Sequence, residues 1–263
     1  MRVAWTVLFS AIILPLQLSA QTYRLADGAT LRYLESGRSS TRFGDPQQNN
    51  IPSTLLHEAT IAIAADGSRG WVASYDDLEV RIIELAGMIA PEVDFKSEGA
   101  FLLDVLPSGG IRTLEVPTIP SEFRALYNPE FQFADFFIGL PEDVPALGDT
   151  WTDTVDVESD STRIRSVRTM RVVGDTVVDG VPATVIDISA QPSIMSMGPV
   201  RGWDGTPTTT LAGTESGTAI FDFENGVMLF RSREVEMQGT LSSQRRGEAA
   251  MRVSFNTSIT LSR

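Results

Sequence analysis

The sequence predicts a mainly β fold, an antiparallel, strongly curved sheet or open barrel (a half-barrel) with one short helical insert. Three observations carry that prediction. Apolar and polar residues alternate with period two over much of the chain, glycine-containing turn sequences punctuate the alternation, and one aromatic stretch breaks it. Alternation alone does not separate a sheet that closes on itself from two sheets that stack, so a β-sandwich is the structural alternative.

The elements follow in order. Residues 1–20 read as a secretory signal peptide: Arg2 is the positive start, Val3 to Leu16 is almost wholly apolar, and Ala20 is a small residue suited to cleavage before Gln21. That apolar core is about 14 residues long, short of the roughly 20 that a membrane-spanning helix needs. Residues 21–263 read as a single β domain, with a β portion over 21–118, the insert and a connector over 119–150, and a second β portion over 151–263. In the first portion, Leu55–Ala64 and Trp71–Tyr75 flank Asp66-Gly67-Ser68, Leu78–Leu85 is a further strand, and Phe101–Leu106 and Ile111–Val116 flank Pro107-Ser108-Gly109-Gly110. Phe43–Ser53 reads as a loop.

In the insert, Asn128 and Pro129 form a helix start and Gly139 a stop, so a helix is expected over 129–138, preceded by a shorter turn at 121–127. In the second β portion, Trp151 opens a strand, Thr162–Val173 and Pro182–Ala190 flank Val178-Asp179-Gly180, and Thr218–Phe223 and Val227–Met237 flank Glu224-Asn225-Gly226. Asn-Gly and Asp-Gly take the positive φ angles of tight hairpins. Met251–Leu261 alternates most cleanly, and residues 191–217, rich in Pro, Gly, Ser and Thr, read as the longest irregular stretch.

Composition narrows the chemistry. The chain has one histidine, His57, one lysine, Lys96, and no cysteine. Without thiols there is no cysteine nucleophile and no disulfide, and a single imidazole does not build a His-rich metal site within one chain. The formal charge is −13, and loss of the leader with Arg2 leaves 20 basic against 34 acidic residues, or −14. Such a charge disfavours nucleic acid and anionic membranes as partners. No transmembrane anchor, metal or cofactor is expected.

Candidate groups are few. His57 shares a strand face with Leu55, Ala59, Ile61 and Ile63, which points it at the core or a cavity, with no nucleophile and acid to complete a triad in sequence. Nucleophile-elbow, phosphate-loop and zinc-helix motifs are absent from the sequence. Asp153, Asp156, Glu158 and Asp160 form an acidic run whose spacing fits no calcium loop, with Asp153 facing away from the other three, and it reads as a solvated strand end. Met195 and Met197 lack a third soft ligand, and Asn256-Thr257-Ser258 lies inside a strand.

One phrase carries a resemblance. The connector Leu140-Pro141 to Gly148-Asp149-Thr150-Trp151, with the Phe221-Asp222-Phe223-Glu224-Asn225-Gly226 hairpin, resembles bacterial envelope proteins of unknown function, which are in turn similar in shape to the half-barrels of the lipoprotein-carrier group. The resemblance spans most of residues 54–262. It implies an apolar cavity that holds acyl chains and no catalytic residues, while Gln21 stands where the envelope relatives often carry an acylated cysteine.

The sequence thus leans away from an enzyme. It points to an exported binding protein, periplasmic or secreted and soluble, that holds a lipid-like or other hydrophobic ligand at Phe131, Phe133, Phe136, Phe137, His57 and Trp151. A protein- or glycan-interaction module of the envelope is the alternative, and a carboxylate-dependent hydrolase is third.

Overall fold

The computed structural model describes residues 23–26, 28–44, 53–65, 70–84, 99–106, 109–118, 131–159, 161–198, 205–245 and 247–262. The signal peptide, Lys96, Asp160 and the turn at 121–127 lie outside the described residues. Eleven strands make one antiparallel sheet: β1 (Thr30–Phe43), β2 (Ser53–Ala65), β3 (Trp71–Glu84), β4 (Phe101–Val105), β5 (Ile111–Glu115), β6 (Thr150–Glu158), β7 (Thr162–Val178), β8 (Val181–Met197), β9 (Thr208–Asp222), β10 (Val227–Ser243) and β11 (Gly247–Ser262). Their order is β5-β4-β3-β2-β1-β11-β10-β9-β8-β7-β6, so β1 and β11 join the two halves and β5 and β6 are the edges. One continuous sheet replaces the sandwich alternative.

The hairpin signals lie at the turns the sequence marks. Asp179 and Gly180, at φ 50° and 83°, connect β7 to β8. Gly226, at φ 69°, closes the β9–β10 turn, where Asp222 Oδ1 accepts from Asn225 N at 3.0 Å. Two expectations are corrected, and one strand carries no alternation signal. The two runs expected at 71–75 and 78–85 are one strand, because a bulge at Asp76 lets the ladder with β2 continue. Most of 191–217 is strand, since the Ser/Thr-rich stretches Gln191–Met197 and Thr208–Gly217 extend β8 and β9 and pair with each other. Arg and Ser dominate Thr30–Phe43, which hides β1 from the apolar pattern although it lies at the centre of the sheet.

The aromatic insert fills the concave face, but not as an α-helix. Residues 131–137 form consecutive turns, with Ala134 N donating to Phe131 O at 3.2 Å and Phe136 N to Phe133 O at 3.3 Å. The last carbonyls of the segment, which even a helix ending at Ile138 would leave without internal partners, are taken by guanidiniums from the sheet: Arg168 donates to Phe137 O at 3.0 Å, and Arg231 to Phe136 O at 3.2 Å and to Asp135 O. The side chains of Phe133, Phe136, Phe137, Ile138 and Leu140 are buried. Ring contacts run from Phe101 through Phe133, Phe136 and Phe137 to Tyr23 and Phe221, with centroids 4.6–5.2 Å apart. Burying five such side chains is worth on the order of 10 kcal/mol before entropy is counted. This segment, here called the plug, is the centre of the core.

Candidate functional site

The concave face carries three bands. The plug and its aromatic and aliphatic neighbours form the first, and Leu211, Val235 and Met237, flanked by Ile194, Met251, Val253 and Phe255, form a second apolar cluster. Between them lies a buried ionic network. Arg168 on β7, Arg231 and Arg233 on β10, Asp153 on β6, Glu215 on β9 and Asp135 of the plug are three guanidiniums against three carboxylates. Arg233 grips Glu215 with two bonds of 3.1 and 2.9 Å, and Arg168 grips Asp153 likewise, its Nε bond at 2.7 Å. Asp135 accepts from Arg168, from Arg231 at 2.9 Å and from Arg233 at 2.6 Å. Burial alone would raise its pKa, but the guanidiniums of Arg231, Arg233 and Arg168 hold it well below the ordinary 3.8. Burial pushes Arg231 the other way and lowers its pKa, and its Nε has no hydrogen-bond partner among the described residues.

A second polar tie joins the plug to the middle of the sheet. Gln132 Nε2 donates to Glu35 Oε2 at 2.6 Å, and His57 Nε2 lies 3.4 Å from Glu35 Oε1. The imidazole sits over Gly37 of the neighbouring strand, where a Cβ would meet His57 Cε1 at 2.0 Å. Glycine is required there for close approach and not for φ.

The curl of the sheet brings its two edges to one groove of about 730 Å³, between β5 and β6. Phe131 floors it with the buried Phe133 and Phe137 beneath, Val155 and Val157 wall it on the β6 side, and Asp153 with Arg168 reaches it from the ionic band. On its rim Leu106, Leu114 and Val116 are 40%, 49% and 40% exposed. The opposite, polar face holds a second hollow, a trough of about 1060 Å³ along one cross-strand row: Ser36, Ser258, Ser232, Thr218, Asp187 and Arg171.

Of the residues singled out from sequence, Phe131, Phe133 and Phe137 come together at the groove. Phe136 lies deeper, edge-on to Tyr33 with centroids 5.4 Å apart. Trp151 is half-buried and donates from Nε1 to Gly139 O at 2.8 Å, which ties β6 to the plug. His57 stands with Glu35, away from the groove. The acidic run splits: Asp153 points inward to Arg168, while Asp156 pairs outside with Arg163 at 2.8 Å. Among the described residues no group of three or more His, Cys, Asp or Glu side chains is placed to hold a metal, and no helix is long and apolar enough to cross a membrane.

No family model matches the chain, and no curated protein matches it. Among solved structures it is similar to a chain described under "lipid-protein interactions in lipovitellin", with 9% identity and a TM-score of 0.49. The match covers 91% of this chain and 26% of that one, so the chain spans about a quarter of its length.

The ionic network escaped the sequence reading, although a signal for it exists. Arg168 shares the inward phase of Met170 and Val172, and Arg231 and Arg233 that of Val235 and Met237. Charges in the apolar phase of a strand need buried partners.

Proposed function

We propose that the protein is a non-enzymatic, exported binding protein that takes a lipid-like or other hydrophobic ligand in the groove between β5 and β6. The observation that carries this reading is the convergence of the half-buried Phe131, backed by the buried Phe133 and Phe137, with exposed rim residues Leu106, Leu114 and Val116. Apolar side chains left half in water around a concave, apolar floor gain by covering. The plug holds the middle of the concave face, which directs the ligand to the edge. Export rests on the leader of residues 1–20, and after its removal the chain is soluble in the periplasm or medium.

The test is native mass spectrometry and lipid extraction of the protein purified from a bacterial envelope, with titration of an apolar fluorophore into Phe131→Ser and Leu114→Asp. A co-purifying amphiphile, or fluorophore binding weakened about tenfold by both substitutions, is expected. Absence of any amphiphile together with binding unchanged by the substitutions would sink the reading.

A further inference from the structure

We infer that the groove takes an extended peptide, added as a strand between β5 and β6. This rests on the groove being the ligand site and names its ligand class. The first argument is parity. All ten ladders of the sheet are antiparallel and β5 and β6 are its first and last strands, so the two edges run in the same direction. Direct closure would pair them in parallel, whereas one inserted strand running opposite to both completes a twelve-stranded barrel that is antiparallel throughout.

The second argument is main-chain chemistry. Among the described residues β5 pairs only with β4 and β6 only with β7, so among these residues each edge turns a row of N–H and C=O groups to the groove. A peptide backbone laid between them satisfies both rows while its apolar side chains cover the aromatic floor.

The third argument is alternation. Inward, the added strand meets Val155 and Val157 of β6, Ile111 of β5 and the phenylalanines of the plug. Outward it stands beside Thr154, Asp156 and Glu158 of β6 and Arg112 of β5, all exposed. The occupant is therefore an alternating segment, apolar at every second residue and polar between.

Because the chain has no cysteine, Thr154→Cys places a unique thiol on the exposed β6 edge, and Thr210→Cys on β9, paired with Met195 on one side and Thr240 on the other, is the control. The probes are cysteine-bearing peptides of about six residues, alternating Val, Leu or Phe with Thr or Lys, and an alkyl thiol, each supplied as its mixed disulfide with cysteamine, so that the protein thiolate attacks the disulfide and cysteamine leaves, in buffer only partly reducing. Peptide retention at Thr154→Cys about tenfold above the control is expected, with slowed amide exchange in β5 and β6 and loss of both when alternate peptide nitrogens are methylated. Equal retention at the two thiols, or retention indifferent to methylation, would overturn strand addition. If the alkyl thiol alone is retained at Thr154→Cys, the groove is a ligand site and the peptide inference fails. If no probe is retained there, both fail.

Discussion

Replacing Asp135 by Asn separates a plug held by charge from one held only by its aromatic rings. The native network is balanced, three guanidiniums to three carboxylates, and the substitution leaves Arg168, Arg231 and Arg233 facing only Asp153 and Glu215. Asp135 is 14% exposed and Arg231 fully buried, so solvent screens the surplus positive charge little. Removing one partner of a buried ion pair costs about 3–5 kcal/mol. At about 2–4 °C per kcal/mol for a domain of this size, Tm falls by about 6–20 °C. The comparison is Asp156→Asn, which removes a partner of Arg163 on the exposed face, where 38% and 53% of the side chains are open to water; its Tm should stay at the wild-type value. Adding Arg231→Leu to Asp135→Asn restores the charge balance and recovers part of the loss, a coupling of about 0.5–3 kcal/mol once the cost of Arg231→Leu alone is subtracted. Calorimetry of the five proteins reads all of this. An Asp135→Asn transition within a degree or so of wild type would refute the view that charge locks the plug.

Other outcomes follow from packing and titration. Gly37→Ala pushes a methyl into His57 and against Thr257 Cγ2 and costs about 1–3 kcal/mol, part of which His57→Ala restores, whereas Gly239→Ala meets the carbonyl oxygen of Thr210 at 1.8 Å and has no such rescue; paired denaturant melts check both. Phe136→Ala costs about 3–5 kcal/mol, while Phe131→Ser spares stability and weakens binding of an apolar fluorophore, a split read by urea melts beside the titration. The depressed pKa of Asp135 gives stability that is complete above its ordinary 3.8 and lost as pH falls through the lower folded value, so acid unfolding driven by this group begins only below about 4. Burial raises Tyr23 and Tyr33 well above 10, so their phenols resist alkaline ultraviolet titration, and the stability they carry is complete below about 10 and is lost as pH rises from there through the raised values.

Much of the fold was legible because a half-buried strand writes its geometry as alternation and a tight hairpin needs residues tolerant of positive φ. Met251–Leu261 and the turns at Asp179-Gly180 and Asn225-Gly226 are such cases. β1 was not legible, since at the centre of the sheet it exposes arginines and serines on one face and sets Glu35 and Gly37 on the other. The insert was legible as an aromatic segment that fills the sheet, but not in its conformation, which depends on arginines about 30 to 100 residues away in sequence taking its carbonyls. Three of the phenylalanines at the groove were visible as candidates. The groove was not, because it exists where two strand edges meet across the curl, a relation set by strand order that no local pattern records.

The central claim is that an apolar ligand enters between the two edges and not over the plug or in the polar trough. Photo-cross-linking with an alkyl diazirine, mapped by peptide mass spectrometry, tests it most directly. The account predicts adducts confined to the rim around Leu106, Leu114 and Val116, to Phe131 and to Val155–Val157, lost on prior occupation of the groove. Adducts concentrated in the trough at Ser232, Thr218 and Asp187, or spread evenly over the exposed apolar residues, would contradict it.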